Sequence, residues 1–255
     1  MRVAELPQIT ADILARLRVR APRVHCITNS VAQSFTANTL LAAGAVPSMT
    51  LSADEIGAFV ARADALLINL GTFDEERRAA TAAALDVVVG ERRTPWVLDP
   101  VFIDRSAPRA AYAKSLVAQN PHAIRLNRAE FTALSGAEPD DAALTRYALE
   151  THAVVALTGT VDRITDGAQV VSIENGHPLM ARVTAMGCAA SALNAAFLAI
   201  ESDPFVATAA ALLCFGVAGG IAGDRASGPG SFPAALLDAL YALDKHTLTE
   251  KARVI

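Results

Sequence analysis

Three short stretches carry residues whose types and spacing could do chemistry. In VTAMGCAASALNAAF, Val183 to Phe197, Cys188 follows Gly187 and opens a run of small residues. A turn entering a helix there would aim the unpaired backbone N–H groups of residues 185–188 at an anion and favour negative charge. The same field would lower the thiol pKa and let Cys188 act as a general base toward a hydroxyl. The plain alternative is a compact buried residue, because free cysteine is among the most buried types.

The second stretch is IRLNRAEF, Ile124 to Phe131. A strand ending in Asn127, with Glu130 on the first turn of the next helix, sets an amide oxygen beside a carboxylate, a hard-oxygen corner suited to Mg²⁺ or its waters. Arg125 could reach phosphate oxygens. Asn followed three residues later by Glu is also the ordinary capping box at a helix start. The third stretch, WVLDPV, ends an apolar strand in Asp99 before a proline. That acid could orient Mg²⁺ or a phosphate-bound water, or serve as a turn carboxylate satisfied by backbone N–H groups. NGHPLM and SGPGSF read as glycine and proline turns, with His177 a turn residue rather than a metal ligand. The chain has no GxxxxGK[ST] loop, no GxGxxG after its first strand, no GxSxG elbow and no HExxH helix. Any ATP chemistry here runs without a P-loop.

The elements that must position these residues follow from the hydrophobic pattern. VHCIT, VPSMT, ALLINL, PWVLDP, AIRLN and AVVALTG read as strands, and Ser34–Ala43, Asp54–Ala63, Asp74–Gly90 and Arg105–Gln119 as the helices between them. That alternation implies βαβ units and a mainly parallel sheet. Two short strands around Asp166–Gly167 suggest an antiparallel hairpin, and from Met186 onward helix follows helix. In such sheets ligands bind at the carboxyl ends of the strands. Thr28, Asn29, Met49, Thr50, Asn69, Thr72, Asp99, Asn127, Glu130, Thr158 and Asp162 fall there.

At 255 residues with no linker-like tract, the chain reads as one domain over 1–255. A hydrophobic content of 53% with only 5% aromatics implies a core of Ala, Val and Leu. A net charge of −4 provides no basic field for nucleic acid or anionic lipid, which leaves small molecules as the expected partners. Cys26, Cys188 and Cys214 form no CxxC pair and fit a reducing cytoplasm. The N-terminal stretch has charges throughout and no apolar leader core. VATAAALLCFGVAGGIAG, Val206 to Gly223, has membrane-like length, but its Ala and Gly content and flanking Asp203 and Asp224 predict a buried helix.

Taken in order, VHCITNSVAQSFTANTLLAAGAVPSM, ADALLINLGTFD, PWVLDPV, IRLNRAEF, ALTGTVDRITDG, NGHPLMARVTAMGCAASA and GPGSFPAALLDALY resemble the hydroxyethylthiazole kinases of the ribokinase-like superfamily. The resemblance runs from about His25 to Tyr241. It implies a three-layer α/β/α fold and transfer of the ATP γ-phosphoryl group to 4-methyl-5-(2-hydroxyethyl)thiazole, a thiamine precursor. By position it places Cys188 beside the acceptor hydroxyl, and Glu130 and Asp99 at the Mg²⁺ corner with Asn127. It places Arg125, Thr158, Asn127 and Gly187 at the nucleotide, and Asn29, Met49, Gly71 and Ala185 at the thiazole. It also implies a homotrimer with interfacial sites. Two departures stand out: AMGC replaces the usual Gly-Thr-Gly-Cys turn, and FIDRS replaces a glycine-rich continuation after Asp-Pro-Val. Three other readings compete with this one. They are a kinase of the same fold acting on another heterocyclic or sugar alcohol, a nucleotide-dependent hydrate dehydratase, and a ligand-binding protein with a decayed site. The Cys188 turn and the HCITN opening count against the dehydratase, and retention of Asp99, Asn127, Glu130 and Cys188 counts against decay.

Overall fold

The computed structural model describes residues 3–88 and 94–255. Eight strands form one sheet: β1 (Arg23–Ile27), β2 (Val46–Ser48), β3 (Ala65–Asn69), β4 (Trp96–Asp99), β5 (Ala123–Leu126), β6 (Val154–Leu157), β7 (Asp162–Thr165) and β8 (Val170–Ile173). Their order is β2-β1-β3-β4-β5-β6-β7-β8. Pairings from β2 through β6 are parallel, while β6–β7 and β7–β8 are antiparallel. The chain leaves β1 toward β2 on one side and returns to β3 on the other. This reversal opens a crevice at the carboxyl ends of β1 and β3.

The core strands are apolar on both faces because helices cover both sides of a parallel sheet. Cys26, Leu67, Val97 and Ala123 join one buried cluster. Ile27, Leu66, Ile68, Trp96, Leu98 and Ile124 join the other. The first layer is built on α1 (Leu6–Arg20), α8 (Met186–Leu198), α9 (Pro204–Arg225) and α10 (Phe232–Ala242). The second is built on α3 (Ile56–Val60), α4 (Glu75–Leu85), α5 (Ala107–Val117), α6 (Arg128–Ser135) and α7 (Asp141–Thr151). Helix α2 (Gln33–Ala43) packs on α8 and α10, and α11 (Lys245–Lys251) packs on α1. Among the described residues α9 alone is long and apolar enough to cross a membrane, and 83% of its apolar window is buried in the fold. Its alanines and glycines allow the close packing on α8 and α10 that buries it.

Several element boundaries differ from the sequence reading. The helix expected over Asp54–Ala63 is only Ile56–Val60, and a side-chain hydrogen bond from Thr50 to Glu55 closes the loop before it. The helix expected over Asp74–Gly90 is Glu75–Leu85, capped by Asp74, and its last two expected positions lie outside the described residues. The helix expected over Arg105–Gln119 starts at Ala107, after a 3₁₀ turn over Ile103–Arg105, because Pro108 suits a first helical turn. Helices α1 and α7 are additional.

Candidate active site

Cys188 lies in the first turn of α8, which starts at the crevice between β1 and β3. The turn before it is tight because Ala185 adopts a left-handed backbone, φ 69°. The thiol is buried, and its sulfur accepts N–H bonds from Asn29 Nδ2 at 3.1 Å and Asn69 Nδ2 at 3.2 Å. Asn69 ends β3 in register with Asp99 at the end of β4. Its Nδ2 also donates to Asp99 Oδ2 at 2.7 Å. Its Oδ1 accepts from Gly71 N at 3.0 Å and from Asn29 Nδ2 at 3.3 Å. Ser191, one turn along α8 from Cys188, donates to the same Asp99 oxygen at 2.8 Å.

This environment reverses the expected thiol shift. Burial pushes the Cys188 pKa up to about 11, and the Asp99 charge adds to the rise against the lowering effect of the Asn29 and Asn69 bonds and Arg125. The helix N-terminus was expected to lower it. Desolvation and a neighbouring anion win over the dipole, so the resting residue is a neutral thiol. Burial also raises the Asp99 pKa, opposed by Arg125, Ser191 and Asn69. Asp99 Oδ2 thus accepts two side-chain hydrogen bonds, while Oδ1 lies 3.9 Å from Arg125 Nη1.

Glu130 and Asn127 form a full capping box at the start of α6. Asn127 Oδ1 accepts from Glu130 N at 3.0 Å, and Glu130 Oε2 accepts from Asn127 N at 2.9 Å. Glu130 Oε1 accepts from Phe102 N at 3.0 Å, which ties the FIDRS segment to this corner. Phe102 itself is left-handed at φ 59°. Both of the Glu130 oxygens thus carry a backbone bond, and burial with the Asp99 charge raises its pKa.

Arg125 connects this corner to a cavity of about 850 Å³. Arg125, Thr158 and Gly187 line it together with Asp162, Asn175, Met180, Phe215 and Arg253, among others. Thr158 Oγ1 donates to Leu126 O at 3.3 Å, which pins the loop after β6. Burial pushes the Asp162 pKa up to about 6, and its carboxylate accepts from Gly159 N at 2.9 Å. The cavity lining mixes charged, polar and apolar side chains, and its volume lies within the range of small-molecule sites.

The structure therefore brings Cys188, Asn29, Gly71 and Asp99 into one hydrogen-bonded cluster and puts Arg125, Thr158 and Gly187 around one cavity. Asn127 and Glu130 stand off the cavity lining. Met49 follows β2, partly buried against the apolar layer, and does not join the cluster. Its segment is pinned by His25, whose Nδ1 meets Ser48 Oγ at 2.8 Å and whose Nε2 meets Thr50 O at 3.1 Å. His177 is a turn residue: Nδ1 accepts from Leu179 N, and the ring stacks on Phe232. Asn69, which the sequence reading placed at a strand carboxyl end without assigning it a role, and Ser191, which it did not name, complete the hydrogen-bonded cluster. Placement of Asn69 at a strand carboxyl end and of Ser191 one helical turn after Cys188 were the signals available.

A hydrogen-bonded polar cluster and a cavity meet at one helix N-terminus, above a mainly parallel sheet with an antiparallel edge, the arrangement of a small-molecule kinase of the ribokinase-like fold. Pyridoxal kinase from Staphylococcus aureus, 16% identical, shares that fold with a TM-score of 0.62 over 78% of this chain and 88% of its own. The Hydroxyethylthiazole kinase family model matches residues 14–246, and the chain belongs to that family. It is 44% identical to a probable hydroxyethylthiazole kinase of Agrobacterium fabrum over 96% of this chain and 94% of that one. It is 41% identical to a hydroxyethylthiazole kinase of Zea mays, covering 95% and 91%. The hydroxyethylthiazole kinase structure from Pyrococcus horikoshii superposes with a TM-score of 0.93 at 36% identity, covering 97% and 98%.

Proposed function

We propose that this protein transfers the γ-phosphoryl group of Mg-ATP to the hydroxyl of 4-methyl-5-(2-hydroxyethyl)thiazole, in thiamine salvage in the cytoplasm. The observation that carries the reading is the junction at the head of α8. Cys188 faces the Asn29 and Asn69 amides on one side, and Gly187 abuts the Arg125 guanidinium on the cavity side. Acceptor and donor sites thus share one turn, which is what in-line transfer requires.

The chain's own groups have distinct tasks. Asn29 Oδ1 is buried without a hydrogen-bond partner, an acceptor that a substrate hydroxyl would satisfy. A transition state with loose bonding leaves the alcohol proton in place until late, so a neutral Cys188 thiol serves as an orienting hydrogen-bond partner rather than a strong base. The N–H groups of the first turn of α8 and the Arg125 guanidinium face the charge on the migrating phosphoryl group. Arg125 Nε is buried and unpartnered, consistent with a donor kept for phosphate oxygens.

The acidic corner suits Mg²⁺. Asp99 and Glu130 are buried carboxylates close enough for Asp99 to raise the Glu130 pKa, and a cation would relieve that repulsion. Mg²⁺ needs no all-protein cage: one or two carboxylates, waters and substrate phosphates suffice to hold it. Mg²⁺ there would neutralise charge on the transferring group. We further assign residues 1–255 to one kinase domain and expect a homotrimer with sites at its subunit interfaces. Val46 on the edge strand β2 and Phe59 on α3, both exposed and lining one cavity, are the apolar surface such contacts would cover.

Phosphorus NMR of a reaction holding Mg²⁺, ATP and hydroxyethylthiazole tests the reading, beside a Cys188→Ala control. A new phosphate ester that collapses in the control is expected. ATP binding without ester would overturn the thiazole as acceptor and turn attention to AMGC and FIDRS.

A further inference from the structure

We infer that Asn69 is a positioning residue of the phosphoryl-transfer site, whose amide holds the Cys188 thiol apart from the Asp99 carboxylate and sets which face of the sulfur meets the acceptor hydroxyl. The inference rests on the kinase reading above.

Asn69 is only 1% exposed, yet every hydrogen-bonding direction of its amide is directed. Gly71 N can only donate, so the oxygen it meets at 3.0 Å must be Oδ1. That fixes the amide, and Nδ2 is left facing Asp99 Oδ2 at 2.7 Å and Cys188 Sγ at 3.2 Å. Without it the neutral thiol could turn its S–H onto the Asp99 carboxylate instead of the crevice. An amide is the right group for the gap: it donates to both and carries no charge of its own.

The consequence for Cys188 is directional. Asn69 and Asn29 both donate to the sulfur, which occupies its acceptor faces on the protein side. The S–H is then the group free to turn toward the crevice. Ser191 secures the same arrangement from the other end, by donating to the Asp99 oxygen that Asn69 also uses. Asn69 thereby acts through Cys188 rather than on the substrate.

Two measurements test this. The first needs no substrate: alkylation of Cys188 by iodoacetamide at fixed pH, followed by peptide mass. Asn69→Asp keeps the shape of the side chain, removes the donor and adds a like charge, so alkylation slows by about tenfold or more. A rate equal to that of the unsubstituted protein would overturn the bridge. The second is a double-mutant cycle in kcat/KM for hydroxyethylthiazole using Asn69→Leu and Cys188→Ala, which also serves if Asn69→Asp does not fold. If Asn69 works through the thiol, the double variant falls within about threefold of Cys188→Ala alone. Multiplying losses would overturn the assignment and leave Asn69 acting through Asp99 or through packing alone. If the unsubstituted protein forms no thiazole ester, the kinase reading fails, while the alkylation rates still decide the bridge.

Discussion

A Cβ placed on Gly187 would stand 2.9 Å from Arg125 Nη1 and 3.2 Å from Nη2. The guanidinium can come this close to the first turn of α8 because residue 187 has no side chain there. Gly187→Ala therefore displaces the tip of a flexible side chain and leaves the backbone alone. The gain in helix propensity, about 1 kcal/mol, offsets the crowding, so the melting temperature should hardly move. The ATP KM should rise by about tenfold while the thiazole KM holds, because the lost contact is a charge-assisted one to phosphate. Initial rates with each substrate varied in turn check this.

Gly71 answers to a different constraint. A Cβ there would meet Asn29 Nδ2 at 2.6 Å and Asn29 Cβ at 2.7 Å. The Cβ of Asn29 cannot swing aside, so Gly71→Ala must shift one of the two loops. The expected cost is about 1–3 kcal/mol of stability from overpacking. The bonds from Asn29 to Asn69 and Cys188 break with it, and kcat should fall by about a hundredfold, the loss of one oriented group in a water-excluded site. Urea unfolding beside steady-state rates separates the two effects.

These contrasts show what residue order makes legible. The capping box of Asn127 and Glu130 is local, three residues apart, and could be read directly. The β7–β8 hairpin was announced by Asp166–Gly167, and the buried strands by apolar runs that only a two-sided sheet tolerates. Helix α1 was obscured because its buried Leu6, Ile13, Leu14 and Leu17 run into Arg16, Arg18 and Arg20, and Arg18 finds its carbonyl partners at Leu240, Tyr241 and Leu243, remote in sequence. The direction of the Cys188 shift was beyond local reading: the helix start is adjacent in sequence, but Asp99 arrives from another strand and Asn69 lies 119 residues away. Burial is a property of the assembled layers, and it reversed the sign.

Ala185 adopts a left-handed backbone, φ 69°, a geometry that glycine takes without penalty. Left-handed geometry costs an L-residue about 1–2 kcal/mol. Ala185→Gly relieves that cost but frees the unfolded chain, a loss of about 0.4–1 kcal/mol. The net expectation is a gain of about 0.5–1 kcal/mol, read as a higher urea midpoint at unchanged slope. On the proposed assignment the methyl group stands beside the thiazole, so the thiazole KM should fall in the same variant. A lower midpoint would show that the turn is held by contacts of the Ala185 methyl.

All three cysteines are free and buried, and burial raises each thiol: Cys188 to about 11, Cys214 to about 12, and Cys26 upward as well. The folded chain thus keeps protons that the unfolded chain releases near the ordinary thiol value of about 8.5. Stability from these groups is complete below that value and is lost as pH rises, for Cys188 until its folded pKa near 11 is passed. Between about pH 9 and 11 each thiol contributes a slope of up to roughly 1.4 kcal/mol per pH unit. Urea midpoints at pH 8, 9.5 and 10.5 should therefore decline, and Cys214→Ala should decline less steeply. The slope carries the comparison, because the substitution itself lowers the starting stability by opening a small cavity. Parallel slopes would mean that Cys214 ionises alike in both states, and would contradict its burial in α9.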